Sequence, residues 1–129
     1  MSSYPRGMEF PNEGFVQRAI ESYFTAEGFT IRAGELADLV CVAESGQTRW
    51  VIEAKGASAS IGLDFRTGLG QILSKMAERS VNYALAVPDI PQFAALCGQI
   101  SGWVRKSLRL HWIFVNEDGS VGIFPPNSD

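Results

Sequence analysis

Hydrophobic positions in the first part of the chain repeat at helical spacing. Asn12 has the character of an N-cap, Glu13 is an acidic residue suited to a first helical turn, and Gly28 is a typical helix stop. The apolar positions between them are Phe15, Val16, Ala19, Ile20, Tyr23 and Phe24. This pattern predicts an amphipathic helix of about four turns.

Three short strand patterns follow the first helix, at residues 29–33, 37–43 and 49–54. The turn-rich segment 44–48 separates the second and third, and its length is typical of a hairpin. We therefore expect these two strands to pair antiparallel.

The second half of the chain alternates between helix and strand patterns. Segment 56–70 is polar and rich in Gly and Ser, which predicts a loop in which Gly68-Leu69-Gly70 leads into the next helix. A second helix is predicted from Gln71, Ile72, Lys75, Met76 and Arg79. A buried strand at 82–87, a third helix at 91–107 and a final hairpin of strands 110–115 and 120–124 complete the pattern.

The predicted order of elements is αβββαβαββ, which indicates the α/β class. A meander followed by strands that return through helices predicts a mixed sheet with helices on its faces, in three layers. The 129 residues, 46% of them hydrophobic, suit one domain over 1–129, with 1–11 as an irregular N-terminal arm.

Composition limits the cellular location and the ligands that are expected for the protein. No apolar run reaches the roughly 18 to 20 residues of a membrane span, and the N-terminus lacks a signal-peptide pattern, so we expect a cytoplasmic protein. Cys41 and Cys97 lie in apolar contexts and are interpreted as core residues. A net charge of −3 disfavours nucleic-acid binding, although a divalent-cation site would itself hold several negative charges.

The first candidate functional residues lie at the end of the third predicted strand, where Glu53 and Lys55 follow an apolar run. Because side chains on a strand alternate, Glu53 and Lys55 share one face with Val51. An ordinary strand-end ion pair explains these two charges as well as a functional site does.

Asp38 favours the functional site over the simple ion pair, because it lies at the beginning of the neighbouring strand of the predicted hairpin. Two carboxylates that converge near an ammonium group form a site for a hard cation such as Mg²⁺, and Lys55 would orient or deprotonate the attacking water. Without a cation the two carboxylates would repel each other.

Asp38 followed by Glu53-Ala54-Lys55 resembles the motif of the PD-(D/E)-x-K nuclease superfamily, which includes restriction endonucleases and Holliday junction resolvases. The resemblance covers roughly residues 12–87, with Ala37 standing where the motif has Pro. It implies a restriction endonuclease-like fold and a Mg²⁺-dependent endonuclease that hydrolyses DNA through a metal-activated water, with Mn²⁺ as a substitute cofactor.

The resemblance also implies roles for individual residues. Asp38 and Glu53 would bind the metal and Lys55 would assist the attacking water, while the first helix would add Glu13, with Glu21 as second choice, and the second helix Gln71. The implied catalytic set is Asp38, Glu53, Lys55, Gln71 and Glu13. The implied metal set is Asp38, Glu53, Ala54 and Glu13.

Two other functions remain open: a catalytically silent nuclease-fold domain that binds nucleic acid or assembles with proteins, and an unrelated α/β protein in which Glu53 and Lys55 merely pair. A homodimer would help so small a domain to span a duplex. The apolar C-terminal strands could form its interface, although core packing explains them equally well.

Other chemically interesting residues are better explained by structure. We interpret His111 as structural, Ser58 and Ser60 as loop residues, and the cluster Arg105, Lys106 and Arg109 as solvated helix faces. The tryptophans Trp50, Trp103 and Trp112 are predicted core residues.

Overall fold

The architecture is known for residues 7–32, 39–43 and 45–126, which a computed structural model describes. Its helices are α1 (Glu13–Ala26), α2 (Ile61–Leu73), α3 (Pro91–Gly98) and α4 (Gly102–Leu108). Its strands are β1 (Phe29–Arg32), β2 (Leu39–Ala43), β3 (Arg49–Ala54), β4 (Asn82–Pro88), β5 (Leu110–Val115) and β6 (Val121–Phe124).

The described strands form one mixed sheet in the order β1-β2-β3-β4-β5-β6. Strands β3, β4 and β5 are parallel to one another, and the remaining neighbours pair antiparallel. The predicted hairpin of β2 and β3 is confirmed, with Leu39 opposite Ile52. The parallel pairs are joined by helical crossovers, as parallel neighbours require.

Two apolar clusters lie on opposite faces of this sheet. One packs Val16, Ile20 and Phe24 of α1 against the sheet, and the other packs residues of α2 and α3, including Phe65 and Phe93. Strand β4 is buried on both faces: Ala84 and Ala86 belong to the α1 side, and Tyr83, Leu85 and Val87 to the other. The α/β class and the mixed sheet flanked by helices are therefore confirmed, while the restriction endonuclease-like fold stays a prediction.

Helix α1 has the predicted boundaries within one or two residues. Asn12 has the extended backbone of an N-cap, and Gly28 adopts φ +91°, which lets the chain turn away from the helix.

The second helix was predicted in the wrong place. Helix α2 occupies Ile61–Leu73, so most of the predicted loop is helical and the predicted helix begins where α2 ends. Its buried positions Phe65, Gly68 and Ile72 keep helical spacing, and burial of this face outweighs the low helix propensity of its glycines. Gly68-Leu69-Gly70 consequently lies inside the helix rather than in a loop.

The predicted third helix is two helices. Helix α3 ends at Gly98, and Ser101 has the extended backbone of the N-cap of α4, so the segment between them breaks the helix. The described order is αβββαβααββ. None of the helices in the described residues has the length and apolar character needed to cross a membrane.

Candidate functional site

The candidate site lies at the carboxyl end of β3, under helix α2. Ile52 and Ala54 belong to the cluster on the α1 side, so Glu53 between them points to the opposite face, toward α2. Lys55 follows the last strand residue and its backbone N–H still donates to the Ala86 carbonyl at 2.9 Å. The strand alternation therefore extends through Lys55, and the two charged side chains share the α2 face as predicted.

Glu53 is a buried carboxylate, with only 3% of its surface exposed. Its Oε1 accepts a 2.8 Å hydrogen bond from Nζ of Lys75, whose side chain is 14% exposed. A buried carboxylate is costly without a counter-charge, and a short charge-assisted hydrogen bond offsets that cost. Lys75 is a site residue that the sequence analysis placed only in the second helix. Local sequence pattern gives no signal for this pairing, because Lys75 lies beyond Leu73, the last residue of α2, and meets Glu53 through tertiary packing.

Lys55 is held from two sides. Its stem runs beside Gly68 of α2, so closely that a Cβ on Gly68 would lie 2.6 Å from Lys55 Cγ. Its Nζ lies 3.9 Å from Oε1 of Glu13, and both side chains are largely buried. The ammonium group is thus placed near the start of α1 while its stem is fixed by α2.

Glu13 reaches the site because the loop after β3 packs directly on the beginning of α1. A Cβ on Gly56 would lie 2.1 Å from the Glu13 backbone nitrogen, and the Ala57 N–H donates to the Pro11 carbonyl at 2.9 Å. Only glycine permits this approach. The structure therefore brings Glu13 beside Lys55.

Gln71 lies in the last turns of α2, three residues after Gly68 and four before Lys75. Its Oε1 is buried and has no hydrogen-bond partner among the described residues. An unsatisfied buried acceptor costs about 1–3 kcal/mol, so this oxygen is suited to receive a ligand. Helical spacing puts Gln71 on the same side of α2 as Gly68, the glycine that lies beside Lys55.

For two members of the predicted metal set, Asp38 and Ala54, the structure describes no side-chain ligand atom. Asp38 lies outside the described residues; the described strand β2 begins at the next residue, Leu39, opposite Ile52. Ala54 has a fully buried side chain without polar atoms, so only its main-chain carbonyl is a potential ligand. Within 7–32, 39–43 and 45–126, no group of three or more His, Cys, Asp and Glu side chains is arranged to hold a metal ion.

Most residues assigned a structural role have one. Cys41 and Cys97 are buried, and burial raises the pKa of each thiol to about 12. His111 lies edge-on to Trp50, with Nδ1 3.1 Å from the Tyr83 carbonyl. Ser58 bonds to Asp64 through its N–H and hydroxyl, which ties the loop to the first turn of α2.

Two structural predictions were wrong. Arg105 is 4% exposed: its guanidinium lies 5.0 Å from the Trp112 ring centroid and donates to the Phe124 carbonyl at 2.8 Å. The cation–π interaction with the buried Trp112 ring stabilises the guanidinium and explains why this arginine is buried. Trp103 is 72% exposed, because α4 turns its side chain away from the core that holds Trp112.

One surface cavity, of about 570 Å³, is lined by Cys97, Arg105, Trp112 and Phe124 among others, and neither Glu53 nor Lys55 contributes to it. Glu53 and Lys55 lie instead in a cluster of largely buried charges.

Comparison of the chain with protein-family models and with curated proteins finds no matching family and no similar protein.

Proposed function

We propose that this chain is a metal-dependent endonuclease of the PD-(D/E)-x-K type, which hydrolyses phosphodiester bonds of DNA with a metal-activated water. The observation that carries the proposal is the buried Glu53 carboxylate on the same face as Lys55, with Glu13 brought beside Lys55 from another element. Buried charges gathered at a strand end are costly, and they are typical of catalytic sites.

The chemistry of the proposed donors suits a hard divalent cation. Glu53 and Glu13 would supply carboxylate oxygens, and Gln71 would supply a buried amide oxygen that has no hydrogen-bond partner among the described residues. Asp38 would be the second strand carboxylate, and the Ala54 carbonyl a further oxygen. Oxygen ligands of this kind are those that Mg²⁺ and Mn²⁺ prefer. When bound, Mg²⁺ supplies Lewis-acid stabilisation of the phosphate and a more acidic water.

The chain's own residues would position the reaction. The stem of Lys55 packs against Gly68, which would hold its ammonium in place to stabilise charge on the phosphate and orient the attacking water. Glu13 Oε1, 3.9 Å from that ammonium, directs it toward α1.

A catalytically silent module is the second candidate, and one observation favours it. Glu53 already has a lysine counter-ion at 2.8 Å, and Lys55 has Glu13 nearby, so the charges are compensated without a metal ion. Such a domain would bind nucleic acid or a protein without cleaving DNA.

Cleavage assays separate these candidates. Single-stranded, duplex and branched DNA are incubated with Mg²⁺, Mn²⁺ or chelator, with the parent protein, Glu53→Gln and the exposed control Glu27→Gln. We expect metal-dependent cleavage by the parent and by Glu27→Gln, and none by Glu53→Gln. DNA binding without cleavage under every condition would favour the silent module.

A homodimer remains part of the proposal. Trp112 and Ile113 of the apolar C-terminal segment are buried in the core, but Phe124 on the edge strand β6 of the described sheet is 47% exposed. Sedimentation of the parent and of Phe124→Ser would test whether this edge joins two copies; a monomeric parent would exclude the dimer.

A further inference from the structure

We propose that Lys75 is an exchangeable counter-ion: it neutralises Glu53 in the metal-free protein and leaves that carboxylate when a divalent cation binds. The inference rests on the proposed metal site and adds a residue that regulates it.

The first argument is the shared oxygen. Lys75 Nζ lies 2.8 Å from Glu53 Oε1, on a carboxylate with 3% of its surface exposed. A magnesium ion bound to Oε1 would lie about 2.1 Å from it. The ammonium group and the ion would compete for one buried oxygen, and their like charges repel strongly where solvent is excluded. Binding of the ion through this oxygen therefore displaces Lys75.

The second argument is that Lys75 has freedom to move. It lies beyond Leu73, the last residue of α2, where the Lys75 N–H closes a turn onto the Ile72 carbonyl at 3.0 Å. Its four-carbon stem lets the ammonium swing toward water while the backbone stays in place.

Lys55 provides the contrast within the same site. Its stem packs against Gly68, where a Cβ would lie 2.6 Å from Lys55 Cγ, so the stem cannot shift toward α2 without disturbing that helix, and its ammonium faces Glu13 Oε1 at 3.9 Å. The structure thus assigns different duties to the two lysines: Lys55 stays in the site, and Lys75 is exchanged.

Calorimetric titration with MgCl₂ and MnCl₂ tests the exchange, using the parent, Lys75→Met and Lys106→Met. Lys106 is an exposed lysine of α4 and serves as the matched control. Loss of a hydrogen bond between charged groups predicts that Lys75→Met binds the ion about 10- to 100-fold more tightly than the parent. Lys106→Met should bind as the parent does. Lys75→Met should also melt at a lower temperature than the parent without metal and recover when the ion is added.

A second measurement uses only the parent protein, in case Lys75→Met does not fold. Lysine amines are acetylated in a short pulse with and without MgCl₂, and each site is quantified by mass spectrometry. Release from Glu53 should accelerate modification of Lys75 several-fold and leave Lys106 unchanged.

The outcomes separate this inference from the proposed function. If the parent binds the ion while Lys75→Met binds no more tightly and Lys75 modification is unchanged, the exchange is wrong and the metal site stands. Binding by Lys75→Met alone would support Lys75 as the competing cation and argue against a metal-dependent parent enzyme. If neither protein binds a divalent ion, both proposals fail.

Discussion

The stem of Lys55 crosses Gly68 so closely that a Cβ at position 68 would lie 2.6 Å from Lys55 Cγ and 2.8 Å from Leu85 Cδ1. A glycine inside α2 therefore provides the space for the proposed catalytic lysine.

Replacing Gly68 with Ala should destabilise the fold and displace Lys55. We expect a loss of about 1–3 kcal/mol in the free energy of unfolding, the usual cost of overpacking. Gly70→Ala is the matched control on the same helix, because its added Cβ would meet no atom within 4 Å apart from neighbouring residues and the backbone of α2 itself. That change should stabilise α2 by about 0.5–1 kcal/mol. Urea unfolding measures both, and equal effects of the two substitutions would contradict the tight packing at Gly68.

Gly56→Ala should separate the loop after β3 from the start of α1. The added Cβ would lie 2.1 Å from the Glu13 backbone nitrogen, and no side-chain rotation relieves a clash with backbone. We expect a loss of more than about 3 kcal/mol, above the usual overpacking cost. Gly98→Ala, with open space around the new Cβ, should change stability little. A Gly56→Ala protein as stable as the parent would refute the contact that positions Glu13.

Lys55→Met and Glu53→Gln should separate chemistry from metal binding. Lys55→Met keeps the stem beside Gly68 and removes only the ammonium, so metal affinity should persist or rise while turnover falls by about 10²- to 10⁴-fold. Glu53→Gln, and likewise Asp38→Asn, removes a proposed charged ligand and should abolish metal binding and cleavage together. Titration calorimetry and single-turnover cleavage give the two readouts. If Lys55→Met loses metal affinity as Glu53→Gln does, the assigned roles are wrong.

Stability should fall in mild acid because of His111. Burial lowers the pKa of this imidazole below its ordinary 6.5, and the charges of Arg105 and Arg109 lower it further, while backbone contacts at Tyr83 and Arg109 act in the opposite direction. Below pH 6.5 the unfolded chain takes up a proton that the folded chain resists. The free energy of unfolding should therefore fall as the pH decreases from about 7 to about 5.

The matched variant for this pH effect is His111→Gln, which removes the only histidine of the chain. Urea unfolding of the parent and the variant at several pH values gives the slope for each. The variant should show a shallower slope across this range; identical slopes would assign the acid sensitivity to other groups.

Arg105→Met should loosen β6. The Arg105 guanidinium donates to the carbonyls of Phe124 at 2.8 Å and Pro125 at 3.1 Å, and it lies over Trp112. Losing bonds from a charged donor should cost about 2–3 kcal/mol, whereas Lys106→Met on the adjacent exposed position should cost little. Hydrogen exchange of the β6 amides should rise in Arg105→Met alone. Unchanged protection there would show that Arg105 does not hold the strand.

Much of the architecture was predictable from local patterns. The period-two alternation placed Glu53 and Lys55 on one face, and the apolar run at β4 indicated a strand buried on both sides, because alternation and continuous hydrophobicity follow from strand geometry alone. The limits of α1 and β5 were likewise clear, since caps and periodicity are local signals.

The tertiary structure decided what local patterns could not express. Helix α2 forms through a glycine-rich segment because its buried face packs on the sheet, and Gly68 lies there because Lys55 passes beside it. The pairing of Glu53 with Lys75, the approach of Glu13 through Gly56 and the burial of Arg105 against Trp112 all join residues that are distant in sequence. The sequence by itself determined which residues carry charge and which strand faces they share. Which charge neutralises which depends on the packing of separate elements, and that packing exists only in the folded chain.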